Sequence, residues 1–213
     1  MQIAVLLFDR LTALDAVGPY EVFARLPGTE VVFVGESVGE VRTDTGRLGL
    51  RVDATLDEVP SPDVVVVPGG PGQAALMDHA PVLDWLRAVD RTSTWTASVC
   101  TGSLLLASAG LLTGRRATSY WTALDRLSAF GVTPTPERVV FDGKYVTAAG
   151  VSSGIDMALA LTARIADETA AQTAQLGIEY DPQPPFSAGS PRTAPPEIVA
   201  ALRAWHAQNP SEG

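Results

Sequence analysis

The sequence predicts an α/β sandwich with a largely parallel central sheet covered on both faces. The first observation is a set of short strands that are almost continuous apolar runs, "DVVVVPGG" (63–70) above all. Such strands are buried on both sides, because a sheet with one wet face alternates apolar and polar residues instead. The second is their regular alternation with helical patterns, the order that winds a parallel sheet. The third is uniformity, since no internal repeat, low-complexity tract or shift of composition divides the chain. A single domain is expected over 1–213, with 180–213 forming a surface strap plus a C-terminal helix.

The elements follow in order. "QIAVLLF" (2–8) reads as a buried strand and "DAVGPYEVFARL" (15–26) as a helix, with Pro19 near its first turn, where a missing N–H costs nothing. "EVVFVGE" (30–36) is a strand, and "VRTDTGRLGLRVDATL" (41–56) a β-excursion turned around Gly46. After the valine strand, stopped by Pro-Gly-Gly, come a helix over 80–91, a strand over 94–99, and helices over 101–112 and 121–130. Residues 138–149 read as a hairpin about Asp142-Gly143, 154–178 as one long helix and 196–208 as the last helix. Between them, "YDPQPPFSAGSPRTAPPE" (180–197) is rich in Pro, Gly and Ser and reads as irregular chain.

Composition excludes several classes. The chain of 213 residues is 46% hydrophobic and 18% charged, enough to bury a sizeable core without staples. Its formal net charge of -9 argues against nucleic acid as a partner, because a phosphate backbone calls for a basic surface. A single cysteine makes no internal disulfide. "MQIAVLLFDR" lacks the basic start and small-residue cleavage site of a signal peptide, and no apolar run spans a bilayer. A soluble, cytoplasmic protein without membrane partner is the expectation.

The candidate chemistry centres on Cys100, in "TASVCTGSLLLASAGLL" (96–112), between a strand and a helix and two residues before Gly102. This is the layout of a nucleophile elbow, whose tight turn lifts the side chain out of the sheet above a helix N-terminus that favours thiolate. An exposed, dipole-activated thiolate is one reading. A small buried core residue is the other, and the local spacing leaves both open. His79 reads as a surface turn residue and His206 as a helix C-terminal cation, so neither is the thiol's base. A carboxyl can manage the proton instead, since one held beside a thiolate is pushed up and can donate. Asp15 and Glu21 in "LDAVGPYEVF" are the candidates; a helix N-cap and a plain surface charge are their bland alternatives. "PGGPG" (68–72) lacks the Lys-Ser/Thr of a phosphate loop and offers backbone N–H groups or a mere tight turn. No metal-ligand spacing is present, and neither metal nor cofactor is expected.

The stretches "LDAVGPYEVF", "DVVVVPGGPG", "ASVCTGSLLLASAGLLTGRRAT", "GIDMALAL" and "PPFSAGSP" together resemble the DJ-1/PfpI superfamily, and within it the isonitrile hydratase-like branch. The resemblance runs over nearly the whole chain. It implies a flavodoxin-like three-layer sandwich, usually a homodimer, with Cys100 as nucleophile, Asp15 as its carboxyl and Thr101 beside it. Gly70 and Tyr120, with Thr101, would border the pocket or its oxyanion site. The implied reaction adds water to a small-molecule isonitrile and releases an N-substituted formamide. Cys100 would attack the terminal carbon while Asp15 protonates it, and Asp15 would then act as base for water. Two other readings come from the superfamily: a non-enzymatic cysteine redox sensor of the DJ-1 type and a glyoxalase-like activity. The chain departs from the pattern twice. Thr101 stands where peptidase-like members carry His, and Tyr120 stands where the hydratase-like pattern carries His.

Overall fold

The computed structural model describes residues 1–208. The strands are β1 (Gln2–Leu6), β2 (Glu30–Gly35), β3 (Gly39–Arg42), β4 (Gly49–Val52), β5 (Ala54–Thr55), β6 (Val64–Val67), β7 (Trp95–Val99), β8 (Arg116–Ala117), β9 (Thr133–Pro134), β10 (Val139–Asp142) and β11 (Tyr145–Ala148). The helices are α1 (Ala13–Phe23), α2 (Gln73–Leu76), α3 (Ala80–Asp90), α4 (Gly102–Ser108), α5 (Ser153–Ile165), α6 (Glu168–Gly177) and α7 (Pro196–Gln208).

Seven strands form the central sheet in the order β10-β11-β7-β6-β1-β2-β5. Every neighbouring pair is parallel except the edge hairpin β10–β11. Helices α1, α5 and α6 pack together on one face, and α2, α3 and α4 on the other. The expected α/β architecture is therefore present in three layers. Val64, Val65, Val66 and Val67 are all fully buried, as a strand covered on both sides must be. From β1 the chain moves to β2 on one side and later to β6 on the other, so the strand order reverses between β1 and β6. In open α/β sheets ligands bind beyond the carboxyl ends of the strands at such a switch point.

Three expected elements differ. The helix over 154–178 is two helices, broken at Ala166–Asp167, where the Asp167 carboxylate accepts a hydrogen bond from the Ala170 N–H at 2.8 Å. An N-cap inside an apolar-periodic run starts a new helix, and periodicity alone does not register it. The stretch at 121–130 is a 3-10 helix over Leu124–Phe130, closed by Gly131 in the left-handed region. The helix after Cys100 ends at Ser108, two turns long. Residues 180–195 carry neither helix nor strand, and α7 buries none of its residues completely. Residues 209–213 of the expected strap lie outside the described residues.

Gly102 opens α4 hard against β6. A Cβ there would lie 2.0 Å from the Val67 carbonyl oxygen. Helix propensity favours Ala over Gly by about 1 kcal/mol, but overpacking against fixed backbone costs about 1–3 kcal/mol and moves the chain that carries Cys100. Gly102→Ala is expected to lower stability in chemical denaturation, whereas propensity alone would raise it.

Candidate active site

Three loops that leave the sheet at its carboxyl edge build the site: the one after β1, the one after β6 and the one after β7. At the last of these, Cys100 has φ of 58°, in the left-handed region. A residue with a Cβ pays about 1–2 kcal/mol there, and such a conformation persists only where the surroundings over-determine it. They do so here. The Cys100 N–H donates to the carbonyls of Ala148 (3.1 Å) and Ala149 (2.6 Å) beyond the end of β11. Its carbonyl accepts from the hydroxyls of Ser103 (3.2 Å) and Ser119 (3.1 Å). The strained turn is thus fixed from both sides of its own peptide units.

Asp15 does not cap its helix. Thr12 is the N-cap residue of α1, and its hydroxyl donates to Asp44 at 3.0 Å. The Asp15 carboxylate instead reaches across to the loop after β6, where Oδ2 accepts the Gly69 N–H at 2.9 Å. Asp15 is fully buried, and Oδ1 has no hydrogen-bond partner of regular geometry. The adjacent Gly70 N–H donates to Thr101 Oγ1 at 3.0 Å. Gly70 therefore positions Thr101, and its N–H is not a free donor for a substrate oxyanion. The two glycines tie the first turn of α1 and the Cys100 loop together, one N–H to each.

The electrostatics follow from burial. Loss of water pushes the Asp15 carboxyl up to about 8, against partial relief from the Gly69 N–H and the Cys100 thiol and a small further push from Asp44. Burial, then the Asp15 charge, raises the Cys100 thiol well above its ordinary range, and the Thr101 N–H and hydroxyl offset only part of this. Cys100 is 5% exposed. The expectation of an exposed thiolate activated by a helix dipole is therefore corrected: α4 is two turns long, and desolvation outweighs what its N-terminus supplies. Thiol and carboxyl form one coupled unit that gives up its first proton near pH 8 and shares the second.

Tyr120 lies just beyond Ser119, and burial raises its phenol, against partial relief from the Trp121 side chain and with a small further push from Cys100. Its hydroxyl lies 3.3 Å from Nε2 of His206 on α7. His206 thus comes to the site, contrary to its reading as a plain helix-end cation. With Thr101, Thr122, Ala123, Arg126, Arg203 and Ala207 it lines a cavity of about 320 Å³ that reaches the elbow. His79 stands at the N-cap position of α3 without a side-chain capping bond and pairs with Glu36 at 2.6 Å, away from the elbow. Glu21 pairs with Arg25 on the exposed face of α1. Gly69, Ser103, Ser119 and His206 were not singled out from the sequence as site residues. Only Gly69 carried a signal, as part of the Gly-Gly turn. Among the described residues no group of three or more His, Cys, Asp or Glu side chains is placed to hold a metal ion.

The buried carboxyl makes a testable contribution to stability. Its folded pKa is raised, so between 3.8 and about 8 the folded state holds a proton that the unfolded state has released. Stability therefore falls as pH rises through that window, by on the order of 1.4 kcal/mol per pH unit. Asp15→Asn removes the titration and keeps an acceptor for Gly69. It is expected to be more stable than the wild type by a few kcal/mol at pH 8 and to converge with it near pH 4, measured by urea unfolding across pH.

The DJ-1/PfpI family model matches residues 1–164. The isonitrile hydratase of Pseudomonas putida is 43% identical over 203 residues, 95% of this chain and 89% of that protein. The deglycase PfpI of Pyrococcus furiosus is 30% identical over 69% of this chain and 89% of its own. Among solved structures, a THiJ/PfpI family protein from Pseudomonas syringae superposes with a TM-score of 0.95 at 39% identity, over 99% of this chain and 88% of that one. With the strained cysteine elbow and its buried carboxyl in place, this chain belongs to the DJ-1/PfpI family.

Proposed function

We propose that this protein hydrates a small-molecule isonitrile to the N-substituted formamide, with Cys100 as nucleophile and Asp15 as the acid and base. The observation that carries the reading is the fully buried Asp15 carboxyl beside the elbow thiol, with Oδ2 anchored and Oδ1 unpartnered. The likeness to the Pseudomonas putida isonitrile hydratase supports the substrate class. Such a carboxyl destabilises the fold, and perturbed groups of this kind cluster at working sites.

These two groups and water carry the chemistry at carbon. Starting from the singly charged pair, the shared proton moves to Asp15 Oδ1 and leaves Cys100 as thiolate. Sγ attacks the terminal carbon of R–N≡C while Asp15 gives that carbon its proton, forming the thioimidate R–N=CH–S and a carboxylate. The carboxylate takes a proton from water as the water oxygen attacks the same carbon, and a second proton reaches nitrogen. The C–S bond breaks, the carbonyl forms, and R–NH–CHO leaves with the pair back in its starting state. Thr101, held by Gly70, fixes the elbow and contributes to the wall of the pocket.

A redox-sensor role is less well supported, since a buried thiol raised above its ordinary range is a poor target for peroxide. A homodimer and a cytoplasmic location belong to the same proposal. Ile198, Leu202 and Trp205 on α7 are large apolar side chains left exposed in the single chain, and no described helix is long and apolar enough to cross a membrane.

An aryl isonitrile is expected to yield formamide at ~1 s⁻¹ or faster. Cys100→Ser and Asp15→Asn should each lose at least about 100-fold, the usual contribution of a positioned acid or nucleophile. The wild-type rate should rise with pH to a plateau above about 8, as the pair loses its first proton. Undiminished turnover in either variant would sink the mechanism.

A further inference from the structure

The proton that reaches nitrogen has no donor in the Cys100–Asp15 pair while Asp15 serves as base for water. In the thioimidate the nitrogen is bonded to the carbon that Sγ holds, so nitrogen and its R group extend beyond that carbon, away from sulfur. The cavity that reaches the elbow on the outer side is the one lined by Thr101, Arg126, Arg203 and His206. Tyr120 stands next to it. Its backbone neighbour Ser119 is fixed to the Cys100 carbonyl, and its ring packs where Gly150 leaves room, since a Cβ there would lie 2.3 Å from Tyr120 Cδ2.

From this placement we infer that Tyr120 is the catalytic proton donor to the substrate nitrogen and that His206, brought in by the C-terminal helix, is its positioning residue. The inference rests on the hydration reading above. The 3.3 Å contact and the edge-to-face packing at 5.6 Å between the rings fix the phenol oxygen relative to Nε2. A phenol has one hydrogen. If Nε2–H donates to the phenol oxygen, alongside the Trp121 side chain, that hydrogen is left for the substrate and the oxygen is supported as it gives the proton up. This assignment leaves Nδ1 as the bare nitrogen, and Nδ1 is buried with no hydrogen-bond partner among the described residues. A missing acceptor bond there costs less than a missing donor bond. Burial also lowers the His206 pKa, so the ring is neutral at ordinary pH. In the reaction, Tyr120 protonates nitrogen as water adds to the thioimidate. The phenolate recovers a proton from the carbinol oxygen as the C–S bond breaks, and no other reactant is consumed.

The test is steady-state kinetics on an aryl isonitrile with Tyr120→Phe, His206→Gln, His206→Leu, the double variant Tyr120→Phe/His206→Leu, and Glu197→Gln as a control at an exposed position of α7. Tyr120→Phe is expected to lower kcat by about 100-fold with KM nearly unchanged, the scale of a general acid. His206→Leu should lower kcat about 10-fold, His206→Gln should restore most of that because an amide N–H also donates to the phenol, and Glu197→Gln should match the wild type. Because His206 acts through Tyr120, the double variant should be no slower than Tyr120→Phe alone. Additive losses, failure of Gln to rescue, or an unchanged kcat in Tyr120→Phe would overturn the inference while leaving Cys100 and Asp15 in place. A wild type that makes no formamide while Cys100 is intact would overturn the hydration reading. In that case the binding of N-phenylformamide, read by tryptophan fluorescence, decides the pair. A Kd about 10-fold weaker in Tyr120→Phe keeps it as the ligand-facing donor, whereas an equal Kd, or no binding to the wild type, rejects it.

Discussion

A carboxyl group cut off from water and anchored by one backbone N–H is the constraint around which this structure is arranged. Asp15 gains a single regular hydrogen bond, from Gly69, for the loss of its hydration. One such bond does not offset the desolvation of a carboxylate, so the group keeps its proton far above the ordinary range. Everything that holds it must therefore come from elsewhere in the fold. The parallel pairing of β1 with β6 sets the start of α1, with Asp15, beside the Gly69 loop, and the pairing of β6 with β7 brings Cys100 beside them. The sheet core of valine and leucine supplies the free energy that this edge of the sheet gives up.

The same logic governs Cys100. Its left-handed backbone is unfavourable for any residue with a side chain, yet its peptide groups are pinned by β11 on one side and two serine hydroxyls on the other. A relaxed turn would let the thiol rotate away from Asp15. The strain, the buried carboxyl and the missing hydrogen-bond partner at Oδ1 are three local penalties within one cluster. Their concentration at a topological switch point separates a working site from ordinary packing error.

Much of this was legible in the sequence, and the reasons are specific. The valine run of β6 and its alternation with helices announced a sheet covered on both faces. The Cys-Thr-Gly sequence after a strand offered the elbow as one of two readings, and Asp15 was legible as a candidate acid with a helix N-cap as its alternative. What stayed hidden depended on partners distant in the chain. Whether Asp15 capped α1 or crossed to Gly69 is decided by a residue 54 positions away. The ionisation state of Cys100 was misjudged because a helix dipole is visible in sequence and desolvation is not. Asp167 broke the expected long helix because one capping hydrogen bond outweighs apolar periodicity across a short stretch. His206 was set aside because nothing local links the last turn of α7 to Tyr120, 86 residues earlier.

That distance separates two kinds of part in the site. The carbon end is made by loops that the sheet fixes, where a small displacement would cost reactivity. The outer wall is made in part by α7, which buries none of its residues completely and meets the body at points that include Tyr120 and Trp121, over which Arg203 stacks. Such a helix can change its residues without disturbing the core. Under the proposed hydration, the attack on carbon belongs to the rigid edge and contacts to the R group to the side of α7. The phenol at Tyr120 lies at the junction of the two, beside the body at Gly150 and beside α7 at His206. On that reading, a change in how α7 sits would alter proton delivery to nitrogen without altering the attack on carbon.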